Sequence, residues 1–325
     1  MTGITIQKRQ HSHMHQMQFI YIFSLALLLD ISLAEPPNRF HPVAWLGKLI
    51  NLQLKFRPQR GCKKQFAFGI ALVLLTAGII TAAIFLLLNF LEQFNQILFI
   101  IAAAIVLKLT LSLRGLIKAA DSVKKLILQN ALEKSRLSLQ ALVSRDTSKL
   151  EDTGVISATV ESVAENTCDS FLAPLFYFLL FGVPGAVAYR IINTFDAMIG
   201  YRGEWEYTGK FAARLDDIAN FIPARISALL LVASAWICKR NARQSWNIML
   251  RDHNKTSSPN AGWTMCAMAG ALNIGLEKAG EYRLGNDHKG ISALAIDHSQ
   301  EMTWALAATW SAILLLVQGV ILVAG

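Results

Sequence analysis

The sequence predicts an all-α, polytopic helical membrane protein, on three observations. Of its 325 residues 54% are hydrophobic and 16% charged, against roughly 25% charged in soluble domains, and the mean hydropathy is +0.40. Residues 68–90 are apolar except for Thr76, Thr81 and Asn89, a run long enough to cross a hydrocarbon core of about 30 Å as a helix. Weaker apolar runs recur at 19–33, 97–113, 171–192, 226–238 and 306–324. Several are short, proline-interrupted or carry one charge, so about six membrane segments are expected, one or two of them broken or re-entrant.

In chain order, the whole of 1–325 reads as one integral membrane domain. Residues 1–18 form a mobile extension in which His11, His13 and His15 alternate as in a solvated tail. A signal peptide is the competing reading of the first 34 residues, because Lys8 and Arg9 precede an apolar core and Ser32-Leu33-Ala34 resembles a cleavage site. Asp30 argues against it. Between Arg39 and Lys64 stand seven Lys or Arg and no acid, whereas 91–96 holds one Glu and no base. The positive-inside rule then puts the first loop in the cytoplasm, the second outside and the N-terminus outside, as expected of a multi-pass protein of the inner cell membrane. The net charge of +9 follows this topology and forms no basic stripe with interleaved aromatics, so nucleic acid is not an expected partner. The lipid bilayer is.

Residues 114–167 are a cytoplasmic helical insertion on this count. Leu116, Ala119, Ala120, Val123, Ile127, Ala131 and Leu137 recur with helical period among Lys and Arg, predicting one amphipathic helix over 115–145. Arg145-Asp146-Thr147 ends it, and Asp152-Thr153 offers N-cap chemistry for a second helix over 155–164. Residues 239–304 are a second cytoplasmic stretch of loop and helices. Pro259-Asn260-Ala261-Gly262 is a turn signal within it, and the polar run 280–290 reads as mobile. Cys62, Cys168, Cys238 and Cys266 lack C-x-x-C spacing and read as reduced packing residues. No phosphate loop, dinucleotide fingerprint, zinc-protease or nucleophile-elbow motif is present.

Four polar clusters carry the chemistry. Asp30 with Glu35, Pro36, Pro37, His41 and Pro42 places acid and imidazole at the inner mouth of the first segment. Glu161, Glu165 and Asp169 are spaced by four and share a helical stripe, beside Asn166. Like charges so placed repel, which calls for a cation or a basic partner. Asn193, Asp196, Tyr201 and Arg202 lead into Arg214, Asp216, Asp217, Asn220 and Arg225, where Asp217 and Asn220 share a face and the adjacent Asp216 points elsewhere, toward Arg214 or a second ligand. The fourth is Ser258-Pro259-Asn260-Ala261-Gly262-Trp263. Charges at the edge of an apolar run persist where they pair with one another, a metal or a polar ligand, and hard oxygen ligands suit Mg²⁺, which takes one or two carboxylates and completes its shell with phosphate and water. The plainer alternative is a set of helix ends with solvated anchors.

At these clusters the chain resembles the CbiB/CobD family, the membrane-bound adenosylcobinamide-phosphate synthases of cobalamin biosynthesis. The resemblance runs through Leu27-Leu28-Leu29-Asp30, His41-Pro42-Val43-Ala44-Trp45-Leu46-Gly47, Arg145-Asp146-Thr147-Ser148, Val160-Glu161-Ser162-Val163-Ala164-Glu165-Asn166-Thr167 and Ala173-Pro174-Leu175-Phe176. It continues in 193–201, 213–225, Ser258-Pro259-Asn260-Ala261-Gly262-Trp263 and Ala267-Met268-Ala269-Gly270-Ala271-Leu272. The family's Gly-Asp-Pro-Pro reads Ala34-Glu35-Pro36-Pro37 here, and its Glu-Asn-x-Ser-Asp reads Glu165-Asn166-Thr167-Cys168-Asp169. Both departures keep the acids.

The resemblance implies a carbon–nitrogen ligase that joins a corrinoid carboxylate, adenosylcobyric acid, to (R)-1-amino-2-propanol or its O-phosphate with ATP and Mg²⁺. Other corrinoid-pathway membrane enzymes are implied neighbours. On this reading Glu165, Asp169, Asp216 and Asp217 supply metal ligation and the base, Arg214 and Arg225 hold phosphate or the corrinoid acid, and Asp30, His41, Arg145, Asn166, Asn193, Asp196, Asn220, Asn260 and Trp263 complete the substrate site. A full crossing at 171–192 would put 193–220 outside, away from ATP, so a break at Gly182-Val183-Pro184-Gly185 is expected. A corrinoid or ion transporter and a non-catalytic scaffold are the readings from other classes.

Overall fold

Apolar periodicity carries most of the chain into helices. The computed structural model describes residues 2–33, 39, 42–286 and 290–324, with the side chains of 17–33, 39, 42–286 and 290–323. In order the helices are α1 (Thr2–Ser32), α2 (Pro42–Leu54), α3 (Cys62–Phe94), α4 (Gln96–Thr110), α5 (Leu113–Leu128), α6 (Leu132–Leu139) and α7 (Asp152–Thr167). A π-helical turn (Cys168–Leu172) leads to α8 (Ala173–Ile199), then α9 (Lys210–Ala219), α10 (Phe221–Ile237), α11 (Ala242–Asp252) and α12 (Ala261–Leu272). Strands β1 (Gly275–Lys278) and β2 (Tyr282–Gly285) form an antiparallel hairpin before α13 (Leu294–Ala324). Among the described residues four helical stretches are long and apolar enough to cross a membrane, Cys62–Phe94, Gln96–Leu128, Asp152–Ile199 and Leu294–Val323. The pair α9 and α10, bent by 49°, makes up to five. The expected segment at 19–33 falls in a shorter apolar helix, Met17–Ser32.

The chain divides into two compact units. The first comprises 1–112, 174–218 and 311–325. Its α3 and α4 are separated at Asn95, whose extended backbone breaks the helix and whose Oδ1 accepts the amides of Ile97 and Leu98 at 2.9 and 3.0 Å, satisfying donors that a helix start leaves open. Within α8 the winding is interrupted at Phe181 and Gly182, with Gly182 at φ 64 and ψ −163. That conformation is open to glycine at little cost, and Pro184 next door lacks the amide a helix interior would use. The break expected at Gly182-Val183-Pro184-Gly185 is present. On α1, Asp30 is fully buried and faces Lys108 of α4, Oδ1 to Nζ at 3.8 Å. Lys108 is the one charge in an apolar helix, and the pairing lets it stay there.

The second unit comprises 113–173 and 219–310, and takes in both stretches assigned to the cytoplasm. The single amphipathic helix expected over 115–145 is two helices, α5 and α6, because Asn130 adopts φ 55. Asn tolerates that left-handed state better than most side chains. α7 begins at Asp152 behind the cap Glu151, which makes no side-chain cap bond, so Asp152 and Thr153 are inside the first turn and not its cap. The polar run expected to be mobile over 280–290 contributes β2. Leu276 and Leu284 are opposed in the hairpin and both buried, and this apolar pair among polar neighbours fixes its inner face. The described Cys side chains are all free; Cys168 and Cys266 are buried as packing residues, whereas Cys62 is exposed, and burial and the charge of Asp252 push the Cys266 thiol up to about 12.

Candidate functional site

The second unit gathers sequence-distant polar residues at the start of α12. The turn at Ser258 to Asn260 delivers Asn260 to a buried position, and its Oδ1 accepts Nη1 of Arg225 from α10 at 3.1 Å. The same Nη1 donates to the Phe221 carbonyl at 2.6 Å. The Arg225 guanidinium lies 3.6 Å over the Phe221 ring and 4.9 Å from the centroid of Trp263. Trp263 in turn packs on His253, with centroids 4.1 Å apart. Backbone packing makes this possible, since a Cβ at Gly262 would sit 2.1 Å from the His253 carbonyl. Arg225, Asn260 and Trp263, three expected binding residues, therefore form one cluster. A guanidinium oriented against aromatic faces is suited to oxyanions and flat conjugated groups.

A second cluster stands on α7. Arg145 donates from Nη2 to Glu161 Oε2 at 3.2 Å. Glu161 also accepts from Ser157 Oγ at 2.9 Å through Oε1 and from the Tyr282 hydroxyl at 2.8 Å through Oε2. Burial first, then the charge of Glu161 beside it, drives the Tyr282 hydroxyl far above its ordinary pKa. Asn166 turns its amide onto the Ser162 carbonyl and hydroxyl, both at 3.0 Å. Glu165 and Asn166 are half-buried on α7. Asp169, also half-buried, lies in the π-turn. That wider winding begins at Cys168, so the regular α-helical run that carries Glu161 and Glu165 ends just before Asp169.

The first unit holds the remaining acids. Asp216 is buried and receives Asn193 Nδ2 at 3.3 Å. Arg214 meets Asp217 at 3.9 Å across one turn of α9, not the adjacent Asp216, and is largely exposed. The i, i+3 geometry of the helix selects Asp217. Asp196 is half-buried near the end of α8, where its carbonyl accepts the Gly200 amide at 2.7 Å. Asn220 is buried at the bend between α9 and α10, in the second unit. His41, with Glu35, Pro36 and Pro37, lies outside the described residues. Among the described residues no three His, Cys, Asp or Glu side chains gather to hold a metal by themselves.

Sequence reading missed Lys108 and Tyr282. The first had a signal, one charge in an apolar run. The second had Leu276 and Leu284 alternating with polar residues on either side of Gly280.

A family model described as CobD/Cbib protein matches residues 23–308, most of the chain. The chain belongs to the CobD/CbiB family. It is 49% identical over 263 residues to the cobalamin biosynthesis protein CobD of Dehalococcoides mccartyi, covering 81% of this chain and 85% of that protein. It is 41% identical over 268 residues to the probable cobalamin biosynthesis protein CobD of Methanothermobacter thermautotrophicus, covering 82% and 87%. No solved structure matches. The matched span of the CobD/CbiB family contains every site residue named above.

Proposed function

We propose that this member of the CobD/CbiB family acts in cobalamin biosynthesis as an ATP-dependent ligase, joining adenosylcobyric acid to (R)-1-amino-2-propanol or its O-phosphate. Family membership supports the pathway, and the observation that carries a binding role is the convergence of Arg225, Asn260 and Trp263 from separate elements. A carboxylate does not form an amide with an amine at neutral pH. ATP with Mg²⁺ would supply the phosphoryl group that activates it and the charge neutralisation for its transfer.

The donor set fits a cation that arrives on phosphate, because Mg²⁺ needs one or two carboxylates and half-buried acids are present in each unit. Glu165 and Asp169 in the second unit, and Asp216 and Asp217 in the first, are the proposed candidates for cation ligation and for taking the ammonium proton. Arg225 would hold an oxyanion against Trp263 and Asn260, and the exposed Arg214 would neutralise Asp217 until substrate binds. The proposed setting is the inner membrane, with 39–64 and 114–167 on the cytoplasmic side where ATP is available.

The test is mass spectrometry of the product after the purified chain meets adenosylcobyric acid, each amine donor, ATP and Mg²⁺. ATP-dependent adenosylcobinamide or its phosphate is expected. Asp217→Asn should lower the rate at least 100-fold with the protein still folded in the membrane. Flux of corrinoid into sealed vesicles without ligation would replace this reading with transport, and normal synthesis by folded Asp217→Asn would remove that residue from the site.

A further inference from the structure

The Arg145 cluster is more elaborate than an ion pair requires. Glu161 is buried and its two oxygens take three donors, from Ser157, Tyr282 and Arg145. Two of those donors are themselves placed by the hairpin. Tyr282 stands on β2, and the β1 amide of Glu277 donates to Ser157 Oγ at 3.1 Å. Glu161 thus grips one nitrogen of the guanidinium, Nη2, while Nε of Arg145 is buried and has no hydrogen-bond partner. An unmet donor on a charged, buried group is costly. The side chain as a whole keeps 17% of its exposure while Nε itself is covered, so a ligand from solvent meets the exposed part first and Nε only as the neighbouring side chains yield.

We propose that Arg145 is a phosphate-binding arm, held in register by Glu161 and Tyr282, whose remaining donors close on a ligand oxygen. Nε and Nη2 lie on one edge of the guanidinium, the edge that binds oxyanions in a fork. Glu161 orients that edge without filling it. Tyr282 is a positioning residue: its hydroxyl takes part of the Glu161 charge and so leaves the guanidinium available to a second anion. The proposal rests on the ligase reading only for the identity of the phosphate, which there belongs either to ATP or to the phosphorylated amine.

Direct binding separates the two ideas. The purified full chain in lipid nanodiscs is titrated calorimetrically with ATP, with aminopropanol phosphate and with inorganic phosphate. Arg145→Gln alone leaves Glu161 buried without its base and can fail to fold, so the decisive variant pairs Arg145→Met with Glu161→Gln, which keeps bonds to Ser157 and Tyr282. At least one phosphate ligand should bind at least 10-fold more weakly to the folded double variant, and the ligand affected identifies the source. Tyr282→Phe should weaken the same ligand 3-fold or more and leave the others unchanged. Wild-type affinity of the folded double variant for all three overturns the proposal. That result leaves the ligase reading intact if product still forms, whereas Arg145-dependent binding without ligation sinks the ligase reading and keeps the arm.

Discussion

Two buried carboxylates, one in each unit, meet their bases in different ways. Asp30 lies on α1 with Lys108 of α4 at 3.8 Å, a contact between two largely apolar helices in which both side chains are almost wholly buried. Asp252, at the end of α11, is equally buried but takes Arg251 at 2.6 Å, Lys255 at 2.6 Å and the Gly285 amide at 2.9 Å. Arg251 and Lys255 are about half exposed. The first pair exists to cancel charge where water is scarce. The second is a latch, since Arg251 also donates to the Gly285 carbonyl and to Asn286 Oδ1, fastening the hairpin to α11. Burial alone therefore does not mark a functional acid. What the acid holds, and whether its base keeps donors for something else, decides more.

The largest effect is expected where both members of the pair are most deeply buried. Lys108→Met removes the ammonium that faces buried Asp30 and should cost about 3–5 kcal/mol, read as loss of folded protein in mild detergent. Adding Asp30→Leu should restore most of the folded yield, because replacing both partners by apolar groups is near neutral. No recovery in the double variant would show that Asp30 serves more than Lys108.

The latch should be weaker and sensitive to pH. Burial pushes the Asp252 carboxyl upward, but bonds from Arg251, Lys255 and Gly285 prevail and hold it at about 2, below the ordinary 3.8. A depressed folded pKa stabilises above the unfolded value and is lost as pH falls through the folded one. The hairpin should loosen between about pH 4 and pH 2. The shift corresponds to roughly 2 kcal/mol at neutral pH. Asp252→Asn should remove that amount at pH 7 and flatten the acid limb, followed by hydrogen exchange at the β2 amides. An unchanged acid limb in the variant would assign the titration elsewhere.

Much of this fold was legible because apolar length is a direct readout of membrane helices. The break at Gly182 and Pro184 was legible for the same reason, since both residues oppose helix locally. The site was legible as residue types and only partly as contacts. Asn260 was visible as a turn and Arg225 as a charge beside an apolar run, but their meeting depends on how Gly262 lets α12 approach α11, which no local pattern encodes. The π-turn at Cys168, which takes in Asp169, was hidden because its sequence is compatible with an ordinary helix. Arg214 chose Asp217 over Asp216 through helical geometry that the spacing already contained. The hairpin was missed because polarity outweighed the opposed Leu276 and Leu284.

The last comparison tests whether the hairpin's other fastening behaves as a latch or as the support of an arm. Tyr282→Phe keeps the ring and deletes one hydrogen bond to the Glu161 carboxylate, whose net worth is about 1.5–3 kcal/mol. Glu161 retains Arg145 and Ser157, so the acid is not stranded. If this end were only structural, as at Asp252, the β2 amides would exchange faster and nothing else would change. If it supports Arg145, the loss of stability stays near that value while phosphate affinity falls by the several-fold factor given above. Comparing Tyr282→Phe with Asp252→Asn in the same exchange and titration experiments therefore separates the roles. The flattened acid limb should come only from Asp252→Asn, and the change in ligand affinity only from Tyr282→Phe.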